Sequence, residues 1–135
     1  MELLFEDTNL FLKDLHQFSS ADQQIIKYQI NENCQLLKTD EAAFYQRTDQ
    51  PYKIELTNGF SPSLYAVEVS PDIQVMMTVA EDPIFEQIII TLLGAAQNGD
   101  LLSSYKSLAN LLYRDLIDTH LEEGHTTNGT NKTSA

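Results

Sequence analysis

The chain has 135 residues, 42% of them hydrophobic, a single cysteine and a formal charge of −12 at neutral pH, with a pI near 4.3. That length suits one domain with its own core, and no apolar run is long enough to span a bilayer. Phosphate backbones are gripped by Lys and Arg, so the charge speaks against RNA or DNA as a partner.

The distribution sharpens the exclusion. No Lys or Arg falls between Lys53 and Lys106, whereas Glu55, Glu68, Asp72, Glu81, Asp82, Glu86 and Asp100 all do. Basic proteins or cations suit such a surface better. The N-terminus, MELLFEDTNLFLKDL, carries acids where a secretory signal carries cations. The lone Cys34 can form no internal disulfide, so a reducing cytoplasm is expected.

Residues 8–18 carry a short amphipathic helix, capped by Thr8 or Asn9, with Phe11, Leu15 and Phe18 inward and Leu12 at the margin. Ser20 and Gln23 have capping-box spacing and open a second helix to about Leu37. Its stripe is Ile26, Ile30, Cys34 and Leu37, which makes Cys34 a core thiol rather than a nucleophile. So short a joint predicts an antiparallel helical hairpin. Phe44 and Tyr45 then anchor a polar stretch, and Tyr52-Lys53-Ile54-Glu55-Leu56 alternates as an edge strand before the turn at Thr57-Asn58-Gly59.

The most legible stretch is 64–93, where three strands are predicted. Tyr65, Val67 and Val69 oppose Ala66 and Glu68, while Ile73, Val75, Met77 and Val79 oppose Gln74, Met76 and Thr78. Ile88-Ile89-Ile90-Thr91-Leu92-Leu93 is apolar throughout but for Thr91, as in a strand covered on both faces. Ser70-Pro71-Asp72 and Glu81-Asp82-Pro83 mark turns, so an antiparallel meander is expected. Gly94 to Gly99 loosens the chain. Asp100 caps a final helix with Leu101, Tyr105, Leu108, Leu112 and Leu116 inward. The expectation is one domain over 1–120 and a disordered polar tail over 121–135.

These elements bring a family into view. Phe11-Leu12-Lys13-Asp14-Leu15 is similar to the loose F-x-K-D-L opening of the RelE/ParE toxin superfamily. Tyr65-Ala66-Val67-Glu68-Val69, a turn, then Ile73-Gln74-Val75 resembles its Y-R-L-R-V … Y-R-V strands. The likeness covers about Leu10 to Ala96, with Tyr52-Lys53-Ile54-Glu55-Leu56 as the other candidate for the first matched strand. It implies an α+β fold: an N-terminal helical hairpin packed on a small antiparallel sheet, here with an added C-terminal helix. Members that cut messenger RNA hold the scissile phosphate with basic residues, often helped by a late tyrosine. At the matching positions this chain has Ala66, Glu68 and Gln74, with Ala95, Ala96 and Gln97 beyond. Tyr105 could stand for the tyrosine, though its spacing is that of a core residue.

Other candidate groups are weaker. Asp72, Glu81, Asp82 and Glu86 could offer oxygens to Ca²⁺ or Mg²⁺, but no EF-hand spacing accompanies them. His120 and His125 flank Glu122 and Glu123 beside Gly124, as at a frayed helix end, and His16 sits among polar neighbours. The sequons at Asn128 and Asn131 lack a secretory context. No phosphate loop or dinucleotide fingerprint occurs, so neither cofactor nor metal is expected. The final helix is apolar on two sides, which makes Leu102, Tyr105, Leu111 and Tyr113 candidates for an interface. The expected function is a non-enzymatic toxin-fold relative working through protein contacts, a homodimer being one form. An active type II toxin (mRNA interferase or gyrase inhibitor) is the alternative, and an acidic cation-binding regulator the weaker one.

Overall fold

The computed structural model describes residues 1–59 and 61–114. In chain order it runs β1 (Glu2–Asp7), α1 (Asn9–Leu15), α2 (Ser20–Thr39), α3 (Glu41–Gln46), β2 (Thr48–Asp49), β3 (Leu64–Ser70), β4 (Ile73–Asp82), β5 (Gln87–Gln97) and α4 (Leu101–Tyr113). The result is α+β, with one five-stranded sheet in the order β1-β5-β4-β3-β2. The expected meander is there, since β3–β4 and β4–β5 pair antiparallel. The sheet is nevertheless mixed, because β1 lies parallel to β5 with Leu3 opposite Ile88 and Phe5 opposite Ile90.

That first strand is an addition to what the N-terminus was expected to hold. Leu3 and Phe5 point into the core while Glu2, Leu4 and Glu6 face out, a period of two. Pairing with β1 flanks β5 on both edges, but Ile88, Ile90 and Leu92 are buried while Ile89 and Thr91 are half-buried, so this stretch is fully covered on one face rather than the two expected.

One face of the sheet carries Val67, Val69, Ile73, Val75, Met77, Ile88, Ile90 and Leu92. Against it pack Phe11 and Leu15 from α1, Ile26, Ile30, Cys34 and Leu37 from α2, and Phe44 from α3. Thr8 fixes the start of α1. Its hydroxyl oxygen accepts from the Phe11 amide at 3.1 Å and donates to the Leu92 carbonyl at 2.8 Å, so the helix cap is also a tie to β5. The cap of α2 is Ser19 rather than Ser20. Its side chain accepts from the Asp22 amide, and the Gln23 amide group donates back to the Phe18 carbonyl. The two helices meet the sheet separately, α1 against β5 and α2 against β1, β3, β4 and α3.

The opposite face is smaller. Leu64, Ala66, Met76, Leu93 and Ala96 are covered there by Leu101, Tyr105, Leu108 and Ala109 of α4. Three expectations are corrected in this region. Residues 52–56 form no strand beyond an isolated bridge at Leu56: Ile54 and Leu56 drop into the core beneath α4, and burial of two side chains explains their alternation. Gly94 to Gln97 stays in β5, because Met76, Val75, Gln74 and Ile73 continue to pair with it. Leu93 is an extra residue opposite the Met76–Met77 step, and this bulge shifts the alternation by one, so that Ala95 joins Ile88, Ile90 and Leu92 on the first face and Ala96 joins Leu93 beneath α4. Finally, Asp100 occupies the cap position of α4 without a side-chain hydrogen bond.

Candidate functional site

The positions matched to the family's basic strand residues fall together on the α4 side of the sheet. Ala66 is buried, Glu68 is exposed and Gln74 is half-buried, with Glu68 and Gln74 directly opposite in the β3–β4 ladder. The Gln74 amide group donates to the Asn98 side chain at 3.3 Å. Ala95 and Ala96 are buried. A phosphate set down here would meet a carboxylate and an amide, with no cation at any of the three strand positions.

Tyr105 is wholly buried, and its hydroxyl donates to the Leu64 carbonyl at 2.7 Å. Burial pushes its phenol up to about 12, so the proton stays on at neutral pH. This corrects its assignment to an outer interface: Tyr105 is a core residue that fastens α4 to β3. Tyr113 is half-buried, and its oxygen accepts from the Ser63 amide at 2.8 Å. Leu102 and Leu111 do face outward and are about half exposed, at 52% and 54%. Leu112, expected inward, is 39% exposed.

Three of the cations are engaged by neighbouring side chains. Arg47 donates to the Asn33 side chain on α2 at 3.1 Å. Lys106 lies 4.8 Å from the ring centre of Tyr52, a cation–π contact on the α4 side. Lys53 faces Glu55 at 3.8 Å with both side chains in solvent. Arg47 and Lys106 thus belong to opposite faces of the sheet.

The four carboxylates suggested as a cation site do not converge either. Asp72 precedes β4, and Glu81 and Asp82 end it, so the length of a ten-residue strand, about 30 Å, lies between them. Asp82 is occupied: one carboxylate oxygen accepts from the amides of Ile84 and Phe85, which builds the β4–β5 turn. Strand β4 therefore runs through the Glu81-Asp82 stretch expected to break it, and the turn sits over 83–86. Among the described residues no three His, Cys, Asp or Glu side chains are grouped to hold a metal. Cys34 is buried against Met77, and burial pushes its thiol up to about 12, which makes it inert at neutral pH. His16 is exposed at the end of α1. His120, His125 and the two sequons lie outside the described residues.

One surface feature escaped the sequence reading. Ile84 and Phe85, at the tip of the β4–β5 turn, are 83% and 70% exposed. The available signal was two large apolar residues directly after a proline, inside a turn where polar residues are usual. No helix among the described residues is long and apolar enough to cross a membrane. Compared with known proteins, the chain matches no family model, no curated protein and no solved structure.

Proposed function

We propose that this chain is a non-enzymatic protein of RelE/ParE-like design that acts by contact with another protein. The reading rests on one observation above others. On the sheet face where the family's phosphate-binding residues would stand, α4 covers Ala66, and Glu68 and Gln74 beyond it offer a carboxylate and an amide in place of cations. A tyrosine that could serve such chemistry is buried and bonded to a backbone carbonyl. Two helices packed on one side of a three-strand meander are compatible with the family's plan, and the parallel β1 departs from it.

Expression of the chain alone decides between this reading and an active toxin. The expected result is normal growth with intact transcripts, whether or not the neighbouring small gene is present. Growth arrest with codon-linked cuts, relieved by the neighbour's product, would sink the proposal.

A further inference from the structure

We infer that the β4–β5 hairpin tip is a docking knob for a Lys- or Arg-bearing segment of another protein, which offers an apolar pocket to Ile84 and Phe85. These two are the most exposed large apolar side chains among the described residues. A single exposed leucine means little, but two neighbours on one tip, beside a half-exposed Met1, form a patch. Met1, Glu2, Ile84, Phe85, Glu86 and Gln87 line one shallow depression.

The tip is held in shape before any partner arrives. Asp82 accepts from the Ile84 and Phe85 amides at 3.1 and 3.3 Å. Glu86 takes a φ of 53°, in the left-handed region that a non-glycine residue enters at some cost. The Glu2 amide then donates to the Glu86 carbonyl at 3.1 Å, locking the turn to β1. Anchors presented on a fixed turn lose little freedom on binding.

Charge selects the occupant. Glu2 and Glu86 line the depression with the two apolar side chains, Glu81 and Asp82 end β4 just before the turn, and the sequence supplies no Lys or Arg from 54 to 105. A second copy would bring the same acids and be repelled, whereas a basic segment is complementary. This deepens the protein-contact reading and rests on it, but its test is separate from growth and transcript cleavage.

A photo-crosslinking amino acid at position 85 of the full chain, in its native host, gives that test. The expected product joins position 85 to a Lys- or Arg-rich peptide of another protein. Its yield falls several-fold in high salt, in Ile84→Ser and in the E81Q/E86Q pair, each of which keeps the parent's thermal stability. Crosslinks to a second copy, to an acidic or uncharged peptide, yields indifferent to salt and to these changes, or no product at all overturn the inference.

Discussion

Tyr105 shows how one side chain can exchange chemistry for structure. Its ring fills the space between α4 and the sheet, and its hydroxyl ends on the Leu64 carbonyl. Folding raises the phenol from 10.0 to about 12 by burial, and raises the Cys34 thiol from 9.0 to about 12 for the same reason. Both groups therefore hold their protons more tightly in the folded chain than in the unfolded one. Their stabilisation is complete below about pH 9 and is lost as pH climbs to about 12. For Tyr105 alone the loss is on the order of 2–3 kcal/mol. In Tyr105→Phe the hydrogen bond goes, which costs about 1 kcal/mol at neutral pH, but the alkaline penalty of that phenol goes with it. Urea unfolding should then show a weaker variant at about pH 8 whose further decline towards about pH 11.5 is shallower than the parent's. Parallel declines would show that Tyr105 is not protected in the folded state.

At the scale of elements, the bulge in β5 decides how the two layers of helices share one sheet. The extra residue at Leu93 shifts the alternation by one, so that Ala95 falls on the α1 face with Leu92, and Ala96 on the α4 face with Leu93. The link is the Asp14 carboxylate, which accepts from the Ala95 amide at 3.1 Å. Asp14→Ala leaves that donor without its partner and should cost about 1–3 kcal/mol, read as a lower denaturation midpoint. Asp14→Asn keeps an acceptor and should recover part of it; equal loss in both variants would mean the contact is incidental. The β3–β5 meander was readable because alternation with period two survives in composition, and α2 because Ile26, Ile30, Cys34 and Leu37 mark one stripe. Other elements were not. Strand β1 is six residues with only Leu3 and Phe5 turned inward, too short a pattern to announce itself. Helix α3 has one buried anchor, Phe44, and so has no stripe. The loop over 52–56 imitates a strand because Ile54 and Leu56 fall on the same core, though only Leu56 forms even an isolated bridge. Ala66, Glu68 and Gln74 were visible as residue types; that α4 covers Ala66 and leaves Glu68 exposed required the fold. The exposed pair Ile84 and Phe85 hid behind the acids around them, because turn chemistry masked their hydrophobicity.

Over the whole molecule, charge sets which partners can approach. The formal charge of −12 gives a long-range field that repels polyanions before any contact forms. Such a field can be overcome locally when cations cluster, so the placement of the few basic groups matters more than the total. Here Arg47 is engaged with Asn33, Lys106 lies on Tyr52 and Lys53 is opposed by Glu55. Arg47 and Lys106 lie on different faces of the sheet, and Lys106 stacks on the residue next to Lys53, whose charge Glu55 offsets. Counterion release, the main source of affinity for nucleic acid, needs several adjacent cations and so has little to act on. Fluorescence anisotropy with a labelled single-stranded RNA should therefore show no saturable binding at about 50 mM salt, where electrostatic contacts are strongest. Micromolar binding that weakens with added salt would mean that cations gather into a working surface, and the protein-contact reading would lose its electrostatic basis.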